Sequence, residues 1–109
     1  DVLESRGLGD VYKRQVYLVV DVKIDDVGAY GKYKEKVKPL IESYGGEYLS
    51  RGGEINLLEN ELWEPTRMVL VKFPDKESAI NWYNCEEYQA LKKIRIDNAT
   101  STSFFIEGL

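Results

Sequence analysis

The stretch Tyr44–Gly53, YGGEYLSRGG, decides how the chain is read. Upstream of it, apolar residues recur three and four apart: Val27, Tyr30, Tyr33, Val37, Leu40, Ile41 and Tyr44, with lysines on the opposite side. That is the period of a helix laying one face on a core. Gly45 follows the last periodic residue, where a left-handed residue ends a helix. From Glu47 to Ser50 the pattern becomes that of a strand. The Gly52-Gly53 pair is read as a bulge in a strand that resumes at Ile55–Leu58, because two such short strands would make a poor hairpin. Pro39 lies inside the helical pattern and removes a bond to the carbonyl of Glu35, so a kink or a two-piece helix is expected.

Working outward, Val16–Ile24 alternates cleanly. Val16, Leu18, Val20, Val22 and Ile24 share one face; Tyr17, Val19, Asp21 and Lys23 share the other. This is a strand, and Asp25 or Asp26 then caps the helix. Residues 1–15, DVLESRGLGDVYKRQ, carry no sustained period, and their charges cancel. They are read as a non-native or disordered extension, leaving one domain over residues 16–109. Downstream, an acidic loop, Glu59–Pro65, leads into a strand over Thr66–Phe73 with apolar residues on both faces. Met68 and Leu70 point one way; Val69, Val71 and Phe73 point the other. Pro74 stops it. Asp75 caps a short helix carrying Ala79, Ile80, Trp82 and Tyr83. Asn84 with Glu87 reads as a capping box for a second helical piece bearing Tyr88, Leu91 and Ile94. A last strand runs from about Ser101 to Glu107.

The order β-α-β-β-α-β, with its second helix broken, predicts a ferredoxin-like α+β sandwich: a four-stranded antiparallel sheet with helices on one face. The other face has no cover from this chain. Tyr17, Val19, Val69, Val71 and either Phe73 or Phe105 are expected on it. A patch of that kind marks an interface, so a homodimer with two sheets packed face to face in C2 symmetry is expected.

Composition narrows the function. The chain has 109 residues, 43% hydrophobic and 31% charged, with net charge −4. A domain of this size buries only roughly two-thirds of its unfolded surface, which a second subunit would improve. The acidic balance argues against nucleic acid and anionic lipid as partners. The apolar run Val16–Val20 is too short to span a bilayer, and a cytoplasmic location is expected. There are 0 histidines and 1 cysteine, Cys85. Ser-His-Asp and Cys-His catalysis, the usual zinc sites and a disulfide framework are thereby removed. No metal site and no resident cofactor are expected. Chemistry falls to carboxylates, Tyr, Lys, Arg or a bound cofactor.

Two arginines lead the candidates for ligand binding. Arg51 and Arg67, if they reach one cavity, could clamp a carboxylate or an enolate, because a guanidinium is a planar two-pronged donor. The alternative is a pair of structural arginines. Tyr33, in the first helix, and Trp82, in the second, are candidates for an aromatic-lined pocket between helices and sheet, although aromatics at these spacings are more often core. Asp21 and Tyr17 share one strand face and form a candidate general base and electrophile; the plainer reading is an interfacial hydrogen bond. The first glycine pair leads from a helix into a strand and the second is read as a bulge, whereas a phosphate-binding loop leads from a strand into a helix.

YGGEYLSRGG, WEPTR at Trp63–Arg67, VLVKFPDKESAINWY and EYQALKKIR at Glu87–Arg95 together resemble an uncharacterised bacterial family, domain of unknown function thirteen-thirty, of the dimeric α+β barrel superfamily. The resemblance runs from Val16 to the closing IEGL. It implies the same fold and dimer, with ligands held between helices and sheet or in the barrel interior. Superfamily relatives include cofactor-independent monooxygenases, muconolactone isomerases and dye-decolorising peroxidases. The function this supports is binding of a small, carboxylate-like organic molecule, with isomerase, lyase or monooxygenase chemistry as one extension of it. A non-catalytic binding or dimerisation module is the alternative.

Overall fold

The computed structural model describes residues 14–109. The expectation for residues 1–15 falls almost wholly outside the described residues. Four strands and three helices follow in the order β1 (Val16–Ile24), α1 (Val27–Ser43), β2 (Glu47–Arg51), β3 (Met68–Phe73), α2 (Lys76–Asn84), α3 (Glu86–Asn98) and β4 (Ala99–Glu107). The strands form one sheet in the order β2-β3-β1-β4, every neighbouring pair antiparallel. The fold is the ferredoxin-like α+β sandwich.

Local chemistry sets the boundaries. Asp26 caps α1 by accepting from the amide of Ala29, and Asp75 caps α2 by accepting from that of Ser78; each satisfies a donor the helix itself leaves free. Gly45, at φ +88°, carries the chain out of α1 in a conformation that L side chains rarely adopt. Pro39 does not divide α1, which continues from Val27 to Ser43. It sits on an exposed part of the helix, so water can serve the backbone group it orphans. The expected capping box at Asn84 is absent. Asn84 is the last residue of α2, and Cys85, with extended backbone, is the N-cap of α3 without a side-chain hydrogen bond.

Two expectations about β2 and β3 need correction. The irregularity in β2 lies between Tyr48 and Ser50, not at Gly52-Gly53. No strand forms at Ile55–Leu58, which belongs to a long connection. Gly52, at φ +72°, turns the chain after donating one more bond to Met68. The second correction concerns the faces of β3. Val69 aligns with Val20 and Val71 with Leu18, and directly opposed residues share a face. Val69, Val71, Phe73 and Phe105 therefore point to the helices, and Val71 and Phe73 are 0% exposed. The open face carries Tyr17, Val19, Met68, Leu70, Phe104 and Ile106 instead. It is still apolar, with different residues.

The core lies between sheet and helices. Val16, Leu18, Val22, Val71 and Phe73 from the strands meet Tyr30, Tyr33, Val37 and Ile41 of α1, with Ala79, Trp82 and Tyr88 of α2 and α3. Phe73 stacks on Trp82 at 5.7 Å between centroids. No helix among the described residues is long and apolar enough to cross a membrane.

Candidate functional site

The layer between helices and sheet is not completely filled. A cavity remains, about 40 Å³ as swept by the centre of a water-sized sphere. Adding the radius of that sphere gives, for a rounded space, on the order of 200 Å³ of molecular volume. Arg51, Arg67, Tyr33 and Trp82, the four residues expected to hold a ligand, all line it. Arg95, Tyr30, Tyr48 and Tyr88 line it as well. Among the described residues, no carboxylate does.

The sheet register explains how three guanidinium groups converge. Arg51, the last residue of β2, lies opposite Val69. Arg67 immediately precedes β3, and its carbonyl accepts from the amide of Val22 at 2.9 Å. Arg95 reaches in from α3 and donates to the hydroxyl of Ser101, which is itself opposite Val22. All three are thus brought to the Val20–Val22 end of the sheet. Among the described residues, each guanidinium is fixed without an acid. Arg51 donates to the carbonyl of Lys34 and lies over the Tyr48 ring at 5.0 Å. Arg67 packs on Gly52, where an added Cβ would meet its guanidinium at 2.8 Å. The second glycine requirement in the YGGEYLSRGG stretch is therefore proximity to this arginine as well as backbone angle.

Arg95 is the buried member, 9% exposed. Burial opposes its charge, but the Tyr88 hydroxyl, aided by Tyr33 and Tyr83, outweighs that and holds its pKa above the ordinary value. The phenols respond to the same balance. Burial raises the Tyr30 pKa, against the pull of Arg67, Arg95 and Arg51 together. Its hydroxyl thus stands in the field of all three cations. Burial also pushes Tyr48 up to about 12, against the pull of Arg51. Tyr33 is raised further, by burial and then by Tyr88, with which its hydroxyl shares a 3.0 Å hydrogen bond. These phenols are neutral at physiological pH and serve as hydrogen-bond donors rather than bases. The indole nitrogen of Trp82 is a further donor, buried and without a partner among the described residues. The cavity offers donors and positive charge, suited to stabilising an anion.

Asp21 and Tyr17 lie on the other side of the sheet. Asp21 accepts from the Trp63 indole at 2.9 Å and from the amides of Thr66 and Arg67 at 2.9 and 3.2 Å. It ties the end of the connection 52–67 to β1. Tyr17, four residues earlier on the same face, is in contact with the Gln15 amide at 3.4 Å. The structure does not bring these two residues to the arginine cavity.

Arg95 escaped the sequence reading. It follows Tyr88 and Leu91 by seven and four residues, on the same helical stripe, and that spacing was the available signal. Within KKIRID its charge reads as one more solvated cation.

A protein of unknown function from Rhodopseudomonas palustris superposes with a TM-score of 0.71 at 15% identity, over 94% of each chain. A cofactor-independent oxygenase from Streptomyces nogalater superposes with a TM-score of 0.64 at 8% identity, over 88% of this chain and 94% of the other. A conserved protein of unknown function from Bacteroides thetaiotaomicron gives 0.55 at 14% identity, over 88% and 99%. At such identities the likeness is one of fold. No curated protein matches the sequence. Residues 15–109 match the family profile described as Domain of unknown function (DUF1330).

Proposed function

The chain belongs to the family of domain of unknown function 1330, and from that premise we propose that it is a homodimeric binder of small organic carboxylates. The ligand occupies the cavity between helices and sheet, held by Arg51, Arg67, Tyr33 and Trp82. The observation that carries this reading is the convergence of Arg51, Arg67 and Arg95 on one cavity that no acid lines among the described residues. A chain with 19 acidic side chains has ample means to neutralise those cations internally. Their lack of an acidic partner among the described residues favours an anion from outside.

In this reading the dimer forms through the open sheet face. Phe104 and Ile106 are 45% and 53% exposed there. The face also carries the aligned pair Glu47 and Lys72, so it presents both signs of charge to a copy of itself, as an isologous contact requires. Trp63 lies beside Val19 and Phe104 on that face, and Leu57, Leu58 and Leu62 of the same connection are exposed. Asp21 positions that connection, and Tyr17 belongs to the interface.

Catalysis, where it occurs, is conversion of the bound anion without a resident cofactor. The likeness to a cofactor-independent oxygenase supports it by analogy of fold. The cavity has no carboxylate base among its described lining residues, which favours substrates that reach it already ionised. The test is calorimetric titration of benzoate into the protein and into Arg67→Ala. Binding by the parent, weakened about tenfold or more in the variant, supports the proposal. Equal affinity removes Arg67 from the site, and no binding by the parent contradicts the reading.

A further inference from the structure

The cavity is polarised along the strands, and this bears on what fits it. At the Val20–Val22 end stand Arg51, Arg67 and Arg95. At the Leu18 end the lining is apolar, with Val71 opposite Leu18 on the sheet and Val37 and Ile41 on α1. Antiparallel packing places the start of α1 beside the end of β1, so the same order repeats in the helical layer: Tyr30 near the cations, Ile41 far from them.

Resting on the carboxylate reading above, we infer that the ligand carries two negative charges at one end of a flat, ring-sized apolar body, in the manner of an aromatic vicinal dicarboxylate. One carboxylate engages one guanidinium bidentately, or two by single bonds. It leaves the third cation uncompensated, and Arg95 is the least able to turn to water, being buried. Two adjacent anionic groups satisfy Arg95 and the Arg51–Arg67 pair together. The remaining space is bounded by Leu18, Val71 and the Trp82 ring, surfaces that reward an apolar body and not a hydrated chain. The cavity volume admits one ring with its substituents, not a fused polycycle.

Calorimetric titration of three probes at one ionic strength tests this. Phthalate has the ring and two charges, benzoate the ring and one, succinate two charges and no ring. Phthalate should bind about tenfold or more tightly than either of the others. Arg95→Gln should remove the preference for phthalate over benzoate, while Arg95→Lys keeps part of it. Benzoate binding as tightly as phthalate would overturn the two-charge inference and leave the carboxylate reading standing. Succinate equal to phthalate would overturn the apolar body. Failure of all three to bind the parent protein would overturn both readings. Should Arg95→Gln fail to fold, the three-probe series on the unaltered chain still decides.

Discussion

The two faces of this sheet use one alternating pattern for opposite ends. On the helix side, Leu18, Val71 and Phe73 are sealed by helices of the same chain, and the arginines sit at the margin of that sealed layer. On the open side, Val19, Leu70, Phe104 and Ile106 present an apolar surface that no helix covers among the described residues, with Trp63 of the connection beside Val19 and Phe104. Apolar area left facing water forgoes roughly 25 cal/mol per Å², which association can recover. The difference teaches where specificity can reside. The sealed side, where water is scarce, makes each guanidinium felt strongly; the open side offers area and shape.

Substitutions on matched positions break the comparison most directly. Phe73→Ala should cost about 3–5 kcal/mol in denaturant unfolding, since Phe73 is fully enclosed and stacked on Trp82. Phe104→Asp, on the other face, should leave the fold formed but raise the dimer dissociation constant by at least about thirtyfold, near 2 kcal/mol, as sedimentation velocity would read. A Phe104→Asp protein that unfolds as a monomer, or that stays dimeric at all concentrations, would show that the faces do not divide the work in this way.

A smaller effect sharpens the same contrast. Tyr48, with its pKa raised to about 12 by burial, is protonated in the folded chain at alkaline pH where the unfolded chain has lost its proton. The folded state then binds more protons than the unfolded, so stability falls as pH rises. The decline begins near the ordinary phenol value of 10.0 and continues to about 12. Each such phenol contributes no more than about 1.4 kcal/mol per pH unit, with Tyr30 and Tyr33 shifted in the same direction. Urea unfolding at a series of pH values, with absorbance at the phenolate band, would show it.

Much of this arrangement was legible in the sequence, and the gaps have physical causes. Strict alternation in Val16–Ile24 and the three-four spacing up to Tyr44 leave little choice of element, and the glycine and proline punctuation places the ends. The phase of β3 was not legible. Met68, Val69, Leu70 and Val71 are all apolar, so either face could be the buried one, and only pairing with β1 decides it. The connection after Gly52 reads as strand at Ile55–Leu58 because local propensity favours one; no strand pairs with it among the described residues. For the cavity, Arg51 and Arg67 stand out because glycines flank one and β3 follows the other. Arg95 hides because a charged residue on a lysine-rich helix gives no local sign that it faces inward.

The central claim is that the anion enters the sealed side and not the open one. A crystal soaked with 4-bromobenzoate, with the anomalous signal of bromine used to place it, tests this most directly. The account predicts one bromine peak per chain between the helices and the sheet, with the carboxylate against Arg51, Arg67 or Arg95. A peak on the open face beside Val19, Trp63 and Phe104, with the cavity empty, would contradict it.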